Sequence, residues 1–339
     1  MPRRPAPLPP QLGEAFRTSR ARGEGVTERR LRAGDLATPF RGVRARRMPA
    51  QEPADDAPFA LDRAQRDAVL RTARAAALVL PPHAFLAGRS ALAARALPVR
   101  HGPLLEVAVF SPHRAPRRSG IAGRRIDPRL AHVEMVEGLR VASAASAWAM
   151  LADELSVREL IVLGDAIVRI PRDHTGRKRP DRALATIDQL ERAAAAGRRR
   201  GIHHLRRALD EVCTESASPL ETEFRLDAGA AGLPPAELDR EVCDGAGRRL
   251  GISEFVYPEW RVVAEIEGDH HRTSRRQWER DLAKYAAYAD AGWKVVRLTG
   301  AQVRRGTAVP LLARALTRHS RAGFGGRSPS ESASDRGVN

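Results

Sequence analysis

The sequence predicts a mixed α/β protein, and three observations carry that reading. Hydrophobic residues make up 42% of the 339, enough for a packed core. Short β-branched runs, LLEVAVF (Leu104–Phe110) and VVAEIE (Val262–Glu267), have the length and composition of strands. Longer segments such as VRELIVLGDAIVRI and SRRQWERDLAKYAAYADAG repeat apolar residues at helical spacing. At this length two or three domains are expected.

In chain order, residues 1–10 are rich in proline and read as a disordered tail. Residues 11–47 give a helix, a turn, a second helix capped by Thr27 and a basic ribbon-like stretch, the order of a winged helix. Residues 48–58 (MPAQEPADDAP) read as a linker. Residues 59–180 form a mixed α/β middle domain, with helices over ALDRAQRDAVLRTARAAALVL, HAFLAGRSALAARAL, SAASAWAMLADEL and VRELIVLGDAIVRI around the Leu104–Phe110 strand. His101 and His113 stand alone in loops there, and lone loop histidines are usually solvated. Residues 181–211 read as a helical connector, two helices around Gly197 and Gly201. The informative region is 216–316, and 320–339 is a second disordered tail, rich in Gly and Ser.

Charge bounds the partners. The chain carries 58 Lys and Arg against 41 Asp and Glu, a net charge of +17, and only three of the bases are lysine. A field of that sign attracts polyanions, and arginine suits bidentate phosphate contacts. A genome rich in G and C accounts equally well for arginine over lysine, but not for the excess of base over acid. No run of 18 apolar residues appears, so no membrane span is expected. Two cysteines, Cys213 and Cys243, are too few for a disulfide scaffold, which points to a cytoplasmic protein.

The region 216–316 begins with SPLETEFRL, where Ser218, Pro219 and Glu221 fit a capping box with proline at the first helical position. Leu220 and Phe224, four apart, give that helix its apolar stripe. LGISEFVY and VVAEIE flank the four-residue loop PEWR as a hairpin. With Tyr257 facing Val262, counting outwards sets Glu254 opposite Glu265, about 5 Å apart at Cβ. Alternation puts Glu265 and Glu267 on one face, so three carboxylates are expected to converge. Like charges so placed call for a cation, and carboxylates suit Mg²⁺ or Mn²⁺. His270 and His271 follow at the strand end as possible acid–base groups or phosphate donors. In the next helix Trp278, Leu282, Tyr285 and Ala289 make an apolar stripe. Gln277, Asp281, Lys284 and Tyr288 share the neighbouring face, from which Lys284 can reach over the carboxylates. WKVVRLTG is the third strand and closes the order helix, β-hairpin, helix, strand.

That order, with SPLET at Ser218–Thr222, GLP at Gly232–Pro234, EFVYPEWRVVAEIEGDHH at Glu254–His271, WERDLAKY at Trp278–Tyr285 and GWKVVRLT at Gly292–Thr299, resembles the very-short-patch-repair-type branch of the PD-(D/E)XK nuclease superfamily. The likeness covers about 100 residues. It is closer still to domain-of-unknown-function proteins of that branch in actinobacteria, in which a segment like that of abortive-infection antitoxins precedes the nuclease-like domain. Residues 11–47 look like a degraded version of it. The resemblance implies an αβββαβ restriction-endonuclease-like core and a Mg²⁺- or Mn²⁺-dependent DNA endonuclease. It places Glu254, Glu265 and Glu267 as metal ligands. Glu221, Glu265, Glu267, His271 and Lys284 are its candidate catalytic residues, and Asp281 is the helix acid. For the DNA backbone we expect Arg272, Arg275 and Arg276. Two departures stand out: Glu254 replaces the usual Asp, and the motif lysine is absent from its place, with Lys284 a stand-in. The competing expectation is a DNA-binding regulator, or an antitoxin partnered with a toxin, that keeps an inactive nuclease fold. A repair partner is a further expectation.

Overall fold

The computed structural model describes residues 5–47, 60–267 and 275–323. It is mixed α/β, as predicted, and divides into two compact units, Met1–Pro219 and Leu220–Asn339.

The first unit opens with β1 (Ala15–Arg17), α1 (Thr18–Gly23), α2 (Glu28–Leu31), β2 (Leu36–Ala37) and β3 (Val43–Arg46). The strands form a small antiparallel sheet in the order β1-β3-β2. Two short helices and a two-stranded ribbon follow β1, which lies where the sequence predicted only helix. Thr27 caps α2 as expected, accepting from the Arg30 amide at 3.2 Å. The predicted disordered tail is corrected in part: Leu8 is buried with Leu12, Phe16, Ala21, Val26, Leu31 and Leu36. So small a core needs that extra side chain. The linker 48–58 lies outside the described residues.

Then come α3 (Ala60–Ala77), β4 (Phe85–Leu86), α4 (Gly88–Ala93), β5 (Leu105–Phe110), β6 (Ile121–Ile126), β7 (Val133–Val136) and β8 (Leu139–Ala142). The sheet order is β6-β5-β4-β8-β7. Of its five strands the sequence showed only β5, because β4, β7 and β8 are short and β6 carries two arginines and a glycine in six residues. The helix expected over HAFLAGRSALAARAL is split into a strand and α4. Gly88 sits there at φ +47°, and a Cβ on it would lie 2.1 Å from Glu106 Oε2. His101 is not alone: its Nε2 lies 2.7 Å from the buried Ser90 hydroxyl. Nor is His113, whose ring stacks on His83 at 3.8 Å. The unit ends with α5 (Ala144–Met150), α6 (Val157–Val168), α7 (Ile187–Ala195) and α8 (Ile202–Leu209). Trp148 is fully buried and donates to the Leu160 carbonyl at 2.9 Å.

In the second unit the order is α9 (Pro219–Ala230), β9 (Glu237–Cys243), β10 (Arg249–Tyr257), β11 (Val262–Glu267), α10 (Arg275–Asp290), β12 (Lys294–Thr299), α11 (Gly300–Arg304) and α12 (Ala308–Gly323). The helix, hairpin, helix and strand read from the residues are present, with β9 as a further strand ahead of the hairpin and two more helices at the end. The sheet runs β12-β11-β10-β9. Neighbours are antiparallel except β11 and β12, which are parallel with α10 as their connection. On one face Phe255, Tyr257, Val262, Ala264 and Ile266 pack with Phe224 of α9, Val303 of α11 and Leu312 and Leu316 of α12. On the other, Val242, Val256 and Val263 pack with Tyr288 of α10. The tail predicted from 320 is corrected over its first residues, because α12 continues to Gly323; the rest of that call lies outside the described residues.

Phe224 is fully buried and meets Phe255 edge-on at 5.0 Å, joining α9 to β10. Phe224→Ala is expected to cost about 3–5 kcal/mol. Urea unfolding checks this, and a cost below about 1 kcal/mol would contradict the packing described.

Candidate functional site

The hairpin register is as counted from the sequence: Tyr257 pairs with Val262, Val256 with Val263 and Phe255 with Ala264. The ladder stops there. At the next step the Ile266 amide takes Oε2 of Glu254 at 2.6 Å. The facing of β10 also slips. Phe255 and Tyr257 point toward α9 and α12. Gly251 and Ser253, of the same parity, point toward α10: the Ser253 hydroxyl lies 3.0 Å from the Tyr288 hydroxyl, and a Cβ on Gly251 would lie 2.7 Å from it. The slip falls at Glu254. Its neighbour in the β9 register, Asp239, has φ +46°, so both strands turn at one level. Side-chain alternation therefore cannot be counted through this point, and the expectation that Glu254 shares one face with Glu265 is corrected. The side chain from β10 that meets Glu265 is Ser253.

Glu265 is 8% exposed. Its Oε1 takes two donors, the Ser253 hydroxyl at 2.7 Å and Lys284 Nζ at 2.7 Å. Lys284 also donates to the Ile252 carbonyl at 2.9 Å and lies 5.4 and 5.6 Å from the Tyr285 and Tyr288 ring centres. Gly251 makes this crossing possible, since a Cβ there would sit 3.0 Å from Lys284 Cγ and Cδ. The predicted apolar stripe of α10 is thereby overturned. Leu282 is 45% exposed and Ala289 is exposed, while Tyr288 is fully buried and Lys284 half-buried. The site needs a cation over Glu265, so the helix docks by the Lys284–Tyr288 face instead. Burial pushes the Tyr288 hydroxyl up to about 12.

Glu254 is the most strained charge of the group. Burial first, then the negative charge of Glu221 and then that of Glu265, raise its carboxyl well above the usual carboxylate value, while the Ile266 amide and Lys284 oppose the rise. Glu221, on α9, is 6% exposed. Glu267 departs from expectation: it pairs with Arg297 of β12, whose guanidinium lies 5.4 Å from the Tyr285 ring centre. Parallel pairing puts Arg297 beside Glu265 and lets it reach Glu267 two residues on. Asp281 is near enough to Tyr285 for its charge to help raise that hydroxyl, after burial and Glu265. His270, His271 and Arg272 lie outside the described residues, as do the side chains of Arg275 and Arg276.

The structure thus links Glu221, Glu254, Glu265 and Lys284, adds Ser253 and Tyr288, and turns Glu267 away. Among the described residues no three acidic, histidine or cysteine side chains stand in ligating positions around one point. The expected convergence of Glu254, Glu265 and Glu267 on one ion is therefore not what the placed side chains form, because Lys284 and Arg297 have taken two of the three. What links the carboxylates is Glu254, destabilised as an anion first by burial and then by the charges of Glu221 and Glu265. Tyr288 was placed on the Lys284 face by its spacing but given no role, and Ser253 was missed because nothing in its spacing distinguishes it from a core position. The one signal was Gly251, a strand-interior glycine of the kind that marks a close approach.

Two proteins of Mycobacterium tuberculosis are similar to this chain: "Uncharacterized protein MT2308" of strain CDC 1551 / Oshkosh and "Uncharacterized protein Rv2248" of strain H37Rv. Each is 32% identical over 160 residues, covering 43% of this chain and 58% of the relative. No family profile and no solved structure matches the chain. Among the described residues no helix is long and apolar enough to cross a membrane.

Glu254 makes a pH prediction. Its folded-state value lies above the ordinary 4.5, so across that interval the folded protein holds more proton than the unfolded chain, and stability falls as pH rises. Glu254→Gln removes the charge and keeps an acceptor for Ile266. The variant is expected to gain stability relative to wild type as pH rises from about 4.5 through the raised value. Urea unfolding of both proteins across that range reads it, and a pH-independent difference would contradict it.

Proposed function

We propose that the second unit is a metal-dependent DNA endonuclease that hydrolyses phosphodiester bonds. The observation that carries the reading is Glu254, a half-buried carboxylate flanked by Glu221 and Glu265, with the ammonium of Lys284 bound to Glu265. Buried acids left under-neutralised cost stability, and such groups concentrate at functional sites. The αβββαβ order of the unit and the motif spacing at Glu254–His271 and Trp278–Tyr285 support the same reading.

Glu254 and Glu265, with Glu221 behind Glu254, would hold Mg²⁺ or Mn²⁺. A divalent ion bound there supplies an acidified water and neutralises charge building on the scissile phosphate. The chain's own groups do the rest. Lys284 balances Glu265 and can donate to the water or to a phosphate oxygen. Arg297 keeps Glu267 outside the ligand set. With Glu267 so engaged, Glu265 is the acid on which metal binding turns. Supercoiled plasmid is the substrate for the test. Cleavage in Mg²⁺ or Mn²⁺, lost in EDTA and reduced at least about a hundredfold by Glu265→Ala with cooperative unfolding retained, is the expected result. Equal cleavage in EDTA sinks the reading.

A second reading, a DNA-binding regulator acting through residues 11–47, is favoured by the α1–α2–β2–β3 order. Several arginines there serve the fold: Arg44 donates to the Leu31 carbonyl at 2.8 Å, and Arg30 makes two bonds to Asp35 at 2.8 and 2.7 Å. Arg29, Arg32, Arg41 and Arg47 are exposed, and these are the groups offered to phosphates. On this reading duplex binding weakens with salt, and each of these arginines changed to Gln lowers the salt slope by about one. Fluorescence anisotropy measures the slope. Binding that is insensitive to all four, together with metal-dependent cleavage, decides for the nuclease.

A further inference from the structure

The first unit contains a cleft of about 490 Å³, in the range of small-molecule sites, between α7, the start of α5 and the loop from Arg129 into β7. Helical spacing builds one wall. Gln189, Arg192, Ala193 and Ala196 fall at i, i+3, i+4 and i+7, so one face of α7 lines the cleft while Leu190 and Ala194 are buried.

The charge of the cleft is uncompensated. Arg192 is exposed and makes no ion pair or hydrogen bond among the described residues. The one acid of the lining, Glu134, is already bound to Arg95 at 2.8 Å. Arg199 braces the loop through the Leu130 carbonyl at 2.7 Å, and its buried Nε has no partner among the described residues. Positive charge therefore prevails here.

The hydrogen bonding is one acceptor short. Ser143 Oγ accepts from the Ser146 amide at 3.2 Å and donates to Ser146 Oγ at 2.9 Å. Ser146 Oγ also accepts from the His132 amide at 2.9 Å. Two hydroxyls carry two protons and share one bond. The Ser146 proton is left without an acceptor among the described residues, on a side chain 5% exposed that lines the cleft. A buried donor so left costs stability, and an oxygen of a bound molecule satisfies it. The rest of the lining is largely apolar and includes Leu130 and Leu184, the latter 44% exposed.

We propose that this cleft binds a small organic anion, whose negative charge is met by Arg192, one of whose oxygens takes the Ser146 proton, and whose apolar body lies against Leu130 and Leu184. The site lies wholly within the first unit and holds or fails independently of the nuclease reading. A carboxylate and a phosphate monoester meet the same donors, and the test separates them.

The full chain is titrated with naphthoate and with naphthyl phosphate, followed by naphthalene fluorescence. Neutral naphthylmethanol and inorganic phosphate are the controls, the latter read by calorimetry. Saturable binding of one or both naphthyl anions, about tenfold or more tighter than either control, is the expected result, and the anion that binds names the head group. Arg192→Gln is expected to weaken binding by about tenfold or more, as for loss of a charge-assisted bond, and Ser146→Ala by a smaller factor. Arg71→Gln, at an exposed α3 arginine outside the lining, leaves the affinity unchanged. Should Ser146→Ala fail to fold, Arg192→Gln decides, since that side chain is exposed and holds nothing in the fold. The proposal is overturned if neither anion binds saturably at millimolar concentration, or if either control binds as tightly. It is overturned equally if Arg192→Gln keeps the wild-type affinity within twofold, or if Arg71→Gln weakens binding as much.

Discussion

The ion pair between Lys284 and Glu265 is the contact on which the second unit's architecture turns. A carboxylate 8% exposed at the centre of a sheet is tolerable only with a cation and donors beside it. Lys284 is the cation, and it reaches Glu265 because α10 lies across β10 at a glycine. The helix accepts an exposed Leu282 to bring its charged and hydroxylic face inward. Electrostatic need thus sets the rotation of α10 against the hydrophobic preference of its sequence.

One ammonium does not balance three acids. Arg297 is spent on Glu267, and Lys284 is bound to Glu265, while Glu254 feels the negative charge of both Glu221 and Glu265. Glu254 carries the imbalance as a raised proton affinity. The same carboxylate also repairs the backbone, accepting from the Ile266 amide where β10 and β11 part. A group that mends a broken ladder while resisting its own ionisation combines strand separation with stored electrostatic cost. Both are features that a simple structural role would shed.

In the first unit polarity is resolved by different means. Arginines there donate to carbonyls and carboxylates of the fold, and buried polar groups are satisfied locally. Ser90 holds both the Glu106 amide and His101, and Asp165 accepts from the Cys213 amide at 2.8 Å. Much of the positive surplus read from composition is therefore structural, and the arginines left for a polyanion are those that none of these contacts uses.

The sequence by itself determined the class of the fold, the order helix, hairpin, helix, strand in the second unit, the hairpin register from Tyr257–Val262 to Phe255–Ala264, the burial of Phe224, the cap at Thr27 and the reach of Lys284. Each is local: periodicity, turn length and capping act over a few residues and leave a readable pattern. Tertiary structure alone decided that Ser253 rather than Glu254 faces Glu265, that Glu267 turns to Arg297, that Leu8 belongs to a core, and that β4, β6, β7 and β8 complete a sheet. Facing along a strand can be counted only while the ladder is regular, and one residue of slip at Glu254 reverses every assignment beyond it. The side of α10 that is buried was likewise beyond reach of its hydrophobic pattern, because a buried carboxylate on another strand, 19 residues earlier, outweighs a leucine.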